Sequence, residues 1–213
     1  YECGAFGNDG VHICVDGDQI YRVSHTGSST TSIGETTGAF PDIAGFDGLY
    51  YWWLSANEIY KQTEDDDPVL AFNNLGVRPR FVDFLNDQMI IFYEIAGGVG
   101  VLFWDKSDTD LFDKRIFVPN CKLIAGGVVN GVLMLVTGVG NSSNTKEQNG
   151  EIVISGFDGE KFVRMNSIRA GQRDAQYEDE NGVGIGANAM FFSVSDNTND
   201  AQPDLYQNYI YKV

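Results

Sequence analysis

Hydrophobic and polar positions along this chain follow a unit that recurs about every 40 residues, which is the length of a small all-β repeat. Each copy begins with an apolar strand and a short Asp/Asn/Gly turn. A very hydrophobic strand, a second turn and a strand built around Ile-Tyr or a similar pair follow. Asp-Gly and Asn-Gly between apolar runs favour type I′ hairpin turns, in which both central residues adopt positive φ. The first turns of the five copies are Asp9-Gly10, Asp47-Gly48, Asn86-Asp87, Asn130-Gly131 and Ala187-Asn188.

The strands within a copy differ in their burial pattern. A strand that is nearly continuous in apolar residues is buried on both faces, and this holds for the second strand of each copy, at 11–15, 49–54, 89–95, 132–136 and 189–194. The third strand alternates more, as in Gln19–Val23 and Glu58–Gln62, which suits a position farther from the core. A weaker outer strand is predicted at 31–33, 69–72, 115–118 and 161–165.

Helical periodicity is absent from the whole sequence. A repeat made only of strands predicts an all-β protein with a β-propeller fold. We expect a single propeller domain over 1–213 with about five four-stranded blades, at approximately 1–39, 40–78, 79–119, 120–169 and 170–213. Five blades are compatible with a closed ring, and also with part of a six- to eight-bladed ring. Because residue 1 is Tyr and not Met, we expect a fragment of a longer chain, so that any targeting segment would lie outside this sequence.

Composition and charge narrow the expected partners. Apolar residues make up 43% of the chain and aromatic residues 13%, with 25 Gly and 5 Pro, a profile that suits short strands and tight turns. The 30 acidic and 14 basic residues give a net charge of −16, which opposes direct binding to nucleic acid or to an anionic membrane. No apolar run reaches the roughly 18–20 residues of a membrane span. The acidity serves solubility or, alternatively, attracts a cationic partner.

Three cysteines, Cys3, Cys14 and Cys121, have no metal-ligand spacing. The first two lie on consecutive strands of one hairpin. Cys3 faces Cys14 if Asn8-Asp9 form the turn centre, whereas it faces Asp16 if Asp9-Gly10 do. The other copies favour the second register, so free thiols are predicted.

The candidate chemical residues have no supporting pattern. His12 and His25, the two histidines, lack a nucleophile or metal ligand at a useful spacing. The run Glu64-Asp65-Asp66-Asp67 lacks the Gly of a calcium loop, so we interpret it as a solvated turn. We therefore predict no catalytic, cofactor-binding or metal-binding residues and no cofactor; whether the protein is an enzyme stays open, with a non-enzymatic role favoured.

Aromatic and glycine clusters have a structural interpretation. Tyr50-Tyr51-Trp52-Trp53 resembles a platform for a sugar ring, but it occupies a second strand, so we predict that it fills the core. The glycine-rich pieces do not open helices and are therefore not phosphate cradles; they mark bulges or crowded strand centres. These pieces are Gly97-Gly98, Gly126-Gly127 and Gly182, Gly184 and Gly186.

Long polar loops at 138–150, 170–181 and 195–207 belong to the last two copies. Loops on a rigid scaffold are a frequent place for binding residues, and tolerated solvent loops are the alternative. If the protein binds a partner, these loops are the predicted contact region.

Two pairs of segments resemble a known class of propeller. They are Gln19–Val23 with 27–34 (GSSTTSIG), and 150–154 (GEIVI) with 159–162 (GEKF). The chain resembles the divergent β-propellers of tailed-phage virion proteins. That resemblance implies a structural tail or tail-associated component of a virion, which contacts other structural proteins and has no catalytic residues to transfer. The alternative is an extracellular or secreted propeller that binds or processes carbohydrate, with a glycan as the ligand.

Overall fold

The structure is a computed structural model, and it describes residues 3–6, 12–23, 30–35, 41–63, 66–107, 112–139, 151–169, 183–186, 188–196 and 207–213. These residues form 19 strands and no helix, so the described part of the chain contains no helical membrane span. The strands are arranged in five antiparallel sheets that follow one another along the chain. The predicted all-β propeller fold is confirmed.

Each sheet is a simple up-and-down meander. The first contains β1 (Cys3–Phe6), β2 (His12–Asp16), β3 (Gln19–Val23) and β4 (Thr30–Glu35), and the second contains β5 (Ile43–Phe46), β6 (Tyr51–Leu54), β7 (Glu58–Gln62) and β8 (Val69–Asn73). The third contains β9 (Pro79–Leu85), β10 (Gln88–Ile95), β11 (Gly98–Trp104) and β12 (Lys114–Pro119). The fourth contains β13 (Lys122–Val129), β14 (Val132–Val139), β15 (Glu151–Phe157) and β16 (Phe162–Arg169), and the fifth β17 (Val183–Gly186), β18 (Ala189–Asp196) and β19 (Gln207–Lys212).

The chain divides into two compact units, Tyr1–Tyr93 with Val101–Arg115, and Glu94–Gly100 with Ile116–Val213. In the first unit, β1 contacts β5 and β5 contacts β9. In the second unit, β13 contacts β17 and β18. Consecutive sheets within a unit therefore meet through their first strands, which is how propeller blades are arranged. The predicted single domain over 1–213 stays a prediction.

The second strands contribute much of the core of each unit, as predicted. Within the segments predicted to be buried on both faces, however, four large apolar residues are 40–65% exposed, namely Leu49, Ile95, Val132 and Phe191. All four residues of β6 are buried, as are the central five of β10. In the second unit, Met134 and Val136 of β14 pack with Ile152 and Ile154 of β15. The fully buried β11 differs from the alternating pattern predicted for third strands. Its sequence GVGVLFW has small or apolar residues on both faces, so nothing in it requires a wet face.

The predicted turn chemistry is confirmed at two hairpins and wrong at a third. Asn86 and Asp87 have φ of 51° and 63°, and Asn130 and Gly131 have φ of 51° and 74°, as a type I′ turn requires. At Asp47 the loop has four residues instead, because β5 and β6 pair last at Phe46 and Tyr51. Asp9-Gly10 and Ala187 lie outside the described residues.

The register of β1 and β2 differs from both predicted alternatives. Cys3 pairs with Val15, and Gly4 pairs with Cys14. Both alternatives pair Cys3 with a different residue, Cys14 or Asp16; the described pairs end at Phe6 with His12, and residues 7–11 lie outside the described residues. Cys14 is a buried free thiol and Cys121 is a half-buried one, which confirms the expected free state for these two.

Outer strands share an irregularity. In three sheets the pairing of the third and fourth strands shifts by one residue, next to Ile20, Ile59 and Ile154 respectively. The extra residue lies in the outer strand, at Ile33 and Met165 for the first and fourth sheets. In the second sheet it is Ala71. Such bulges increase local twist and redirect side chains of the outer strand.

Candidate functional site

Among the described residues, the predicted polar candidates His12, Asp66 and Asp67 form no shared site. His12 is half-buried in β2, while His25, Glu64 and Asp65 lie outside the described residues. Asp66 accepts a hydrogen bond from the Thr63 hydroxyl at 2.5 Å, in an exposed turn. Within the described ranges, no group of three or more His, Cys, Asp or Glu residues is placed to hold a metal ion. Of the predicted loops 138–150, 170–181 and 195–207, residues 138–139, 195–196 and 207 instead belong to β14, β18 and β19. The remaining residues of these loops lie outside the described part of the chain.

Three of the four residues of the aromatic cluster fill the core, as predicted, whereas Tyr50 is half-buried and packs against it. Tyr51, Trp52 and Trp53 are 3%, 2% and 0% exposed. The Trp52 ring meets Trp104 edge-on, with the centroids 5.8 Å apart. A sugar ring therefore has no access to these indoles, and the aromatic argument for a glycan platform does not apply to this strand.

Asp47 is the centre of a polar cluster in the first unit. Its Oδ1 accepts hydrogen bonds from the backbone amides of Leu49 at 3.0 Å and Tyr50 at 2.8 Å. Its Oδ2 accepts from Trp52 Nε1 at 2.8 Å and from Lys106 Nζ at 2.9 Å. The side chains of Asp47 and Lys106 are only 6% and 19% exposed. The carboxylate thus closes its own turn and also binds the loop that follows β11.

The electrostatics of this cluster favour the charged forms. Burial raises the pKa of Asp47, but the hydrogen bonds from Lys106, the two backbone amides and Trp52 outweigh it, so the pKa lies below its usual value. The Lys106 ammonium also lies 5.7 Å from the ring centroids of Trp52 and Phe84, within cation–π range. All these contacts are internal, so we assign the cluster to packing.

A second buried polar contact lies on the opposite face of β6. Gln62 is 2% exposed, and its Oε1 accepts a hydrogen bond from Trp53 Nε1 at 2.7 Å. The Gln62 amide donates to the backbone carbonyl of Asp66 at 3.4 Å. The core is in this way connected to the turn that leads into β8.

The described surface of the first unit contains a polar groove beside β8. Its volume is about 410 Å³, which is within the usual range for ligand pockets. We call it the β4–β8 groove, and its lining residues are Gln19, Ser32, Gly34, Glu35, Asp67 and Pro68.

Close packing shapes this groove. A Cβ atom on Gly34 would lie 2.8 Å from Pro68 Cδ and 3.6 Å from Asp67 Oδ1, so the turn before β8 lies directly against β4. Gln19 Nε2 donates to Glu35 Oε2 at 2.9 Å and orients that carboxylate. Two acidic side chains from neighbouring sheets therefore line one opening.

Three of the outer strands have exposed apolar side chains. Val69 and Leu70 in β8 are 58% and 45% exposed, Phe117 in β12 is 53% exposed, and Val163 and Met165 in β16 are 43% and 64% exposed. Gly98 and Gly156 lie under two of these side chains, since an added Cβ would approach the Phe117 ring to 2.9 Å and Met165 Sδ to 2.6 Å. These strands present apolar area that a partner can cover.

Sequence reasoning missed both the groove and these outer strands as candidate contact regions. The groove residues are separated by up to about 50 positions and become neighbours only through packing of two sheets. For the outer strands the sequence contained a signal that could have been used. The 69–72 segment is entirely apolar although it is not a second strand, which could have predicted an exposed apolar strand.

Comparisons with known proteins show the fold. No family model and no curated protein matches the chain. A solved structure of Kuenenia stuttgartiensis hydrazine synthase is similar, with a TM-score of 0.66 and 14% identity, over 92% of this chain and 64% of that chain. A chain of a mitotic checkpoint complex has a TM-score of 0.57 and 10% identity, over 90% of this chain and 61% of that one.

A chain of a nidogen/laminin complex has a TM-score of 0.54 and 13% identity, over 92% of this chain and 76% of that chain. This chain spans less than two thirds of the length of the hydrazine synthase chain and of the mitotic checkpoint chain. These neighbours are propeller proteins. At such low identities the similarity concerns architecture alone.

Proposed function

We propose that this chain is a non-enzymatic protein-interaction module that presents propeller blades to other proteins. The observation that supports it most directly is the exposure of apolar side chains on the separate outer strands β8, β12 and β16, where five large side chains are 43–64% exposed. Solvent-exposed apolar residues grouped on one kind of element are typical of protein contact sites. The buried polar clusters around Asp47 and Gln62 support a rigid scaffold, because they join turns to the core.

Photo-crosslinking in the native host tests this proposal. A photoreactive residue is placed at Met165, at Phe117 or at Val69, and a matched control is placed at the exposed Glu160. We expect a defined crosslinked protein, identified by mass spectrometry, from at least one outer-strand position and none from Glu160. A chain that stays free and monomeric at every position, or that turns over a substrate when purified, contradicts the proposal.

A finer proposal is that the assembly is a virion and that the module belongs to a phage tail or a tail-associated structure. The support is the sequence resemblance of Gln19–Val23 with 27–34 and of 150–154 with 159–162. The net charge of −16 agrees with contacts to protein and not to packaged nucleic acid. The expected result is sedimentation with particles in stoichiometric copies, and a chain found only in the particle-free fraction contradicts this location.

A further inference from the structure

The outer strand of the second sheet differs from its counterparts. Outer strands usually have charged residues or proline, which prevent pairing with other chains. The strand β12 contains Lys114 and Arg115, β16 contains Arg164, and β4 ends at Glu35. In contrast β8, with the sequence VLAFN, contains no charged residue. The bulge at Ala71 interrupts the C-terminal half of β8, but the stretch before it, Val69-Leu70, is an uncharged edge on which a strand can be added.

The register places the two exposed side chains of β8 on opposite faces. Val69 pairs with Lys61, which pairs with Trp52, whereas Leu70 pairs with Tyr60. Side chains that are directly opposite in a ladder lie on the same face. An extended segment alongside β8 would therefore contact Val69 with one set of alternate side chains and Leu70 with the other.

The charge beside this edge indicates the chemistry of the added segment. Asp67 and Pro68 immediately precede β8 and line the β4–β8 groove together with Glu35. Gln19 already donates to one oxygen of Glu35 and thereby holds this carboxylate at the groove. A guanidinium or ammonium group entering the groove would meet two carboxylates, which agrees with the acidic net charge of the chain.

We infer that β8 and the adjoining groove form a docking site for an extended segment of a partner protein, with aliphatic side chains along β8 and a Lys or Arg side chain in the groove. This inference rests on the proposed interaction function and names the surface and the kind of partner. Backbone pairing along β8 provides affinity that is independent of sequence, while Leu70, Val69 and the two carboxylates select the residues.

Selection from a random 12-residue peptide library on the immobilised chain tests the site. Counter-selection uses the variant Glu35→Gln/Asp67→Asn/Val69→Thr/Leu70→Thr, in which all four replacements are at surface positions and Thr suits a strand. We expect enrichment of peptides that combine β-branched residues with Lys or Arg. Failure to enrich any peptide over the counter-selection, or enrichment of peptides without basic residues, overturns the inference.

Affinities of the enriched peptides then separate the two parts of the site. Fluorescence anisotropy should show a Kd raised about tenfold or more by Val69→Thr/Leu70→Thr, and likewise by Glu35→Gln/Asp67→Asn, since each variant removes contacts central to the site. The matched control for the apolar pair is Val163→Thr/Met165→Thr on β16, and the control for the acidic pair is Asp87→Asn/Glu160→Gln. Each makes the same kind of chemical change away from the site, so the Kd should stay within about twofold of the wild-type value. Equal effects of test and control pairs overturn the inference.

Failure of this inference and failure of the proposed function give different results. If a protein is crosslinked in the native host equally by the wild-type chain and by the quadruple variant, the interaction function stands and this site is wrong. If no protein is crosslinked at any position, the proposed function fails, whatever the peptides show.

Discussion

Replacing Asp47 by asparagine removes one charge from a nearly enclosed ion pair and keeps the shape of the side chain. In the Asp47→Asn variant the amide oxygen would still accept the backbone amides of Leu49 and Tyr50, so the turn itself is preserved. The new NH₂ group would instead face two donors, Trp52 Nε1 and Lys106 Nζ. The lysine would then be left without its carboxylate while only 19% exposed.

Breaking a buried pair by removing one partner costs about 3–5 kcal/mol. Lys106 keeps some contact with solvent and its position near two aromatic rings. We therefore expect a loss of unfolding free energy at the lower end of this range, about 3 kcal/mol. The three tryptophans of the chain, Trp52, Trp53 and Trp104, all lie in the first unit. Tryptophan emission during urea unfolding therefore follows the unfolding of the region that contains Asp47. A loss below about 1 kcal/mol would refute the assignment, because it is the value of an exposed pair.

The pH dependence gives a second readout with a defined sign. The folded pKa of Asp47 is lowered, so its contribution is present above the unfolded pKa of about 3.9 and is lost as the pH falls through the folded pKa. The stability difference between the wild-type chain and Asp47→Asn should be constant from about pH 7 to pH 5 and should shrink below about pH 4. A difference that grows on acidification contradicts this reasoning.

A matched control exists in the second unit. Asp158 closes an equivalent turn, since its Oδ1 accepts the amides of Glu160 and Lys161, both at 2.9 Å. This carboxylate lies at the surface, and Asp158→Asn preserves both acceptor contacts. We expect the midpoint of thermal unfolding, followed by circular dichroism, to be the same in Asp158→Asn as in the wild-type chain.

Three further results are expected. Gly98→Ala would bring a Cβ to 2.2 Å from the Val118 carbonyl oxygen, so β11 and β12 must separate. We expect faster amide hydrogen exchange in β12 and a loss of about 1–3 kcal/mol in the free energy of unfolding. Unchanged exchange would refute this crowding. Gln62→Ala leaves Trp53 Nε1 without its acceptor, which should cost about 1–3 kcal/mol in urea unfolding, whereas an unchanged midpoint would show that the contact is dispensable. Cys14 is 1% exposed, and burial raises the pKa of its thiol. Iodoacetamide should therefore label Cys14 only after denaturation, which peptide mass spectrometry can measure. Rapid labelling of the native protein would contradict the burial.

Local sequence patterns were sufficient for much of the fold. Asn86-Asp87 and Asn130-Gly131 predicted type I′ turns, because few residue pairs adopt positive φ twice in succession. The same rule failed at Asp47, where the carboxylate accepts two amides and stabilises a four-residue loop. It also failed to give the register of Cys3 and Cys14, since Cys3 pairs with Val15 and Gly4 pairs with Cys14.

The candidate contact surface could be predicted only in part. The apolar run 69–72 is visible in the sequence, and the Asp66-Asp67 pair before it is visible as well. Glu35 and Gln19 lie beside Asp67 because the first and second sheets are in contact. No local sequence pattern encodes that contact. Most residues of the loops that were predicted to contact a partner lie outside the described residues, so the role of these loops stays a prediction.

The sequence by itself determined the strand repeat, the burial of the second strands and the core position of Trp52 and Trp53, because alternation and apolar runs are properties of neighbouring residues. Tertiary structure alone decided which polar groups meet. Asp47 and Lys106 are 59 positions apart and join only where a turn of one sheet packs against the loop after β11. Glu35 and Asp67 likewise face one groove because Gly34, without a side chain, lets Pro68 approach β4. Contacts of this kind depend on the packing of whole sheets, and the strand pattern is the same with or without them.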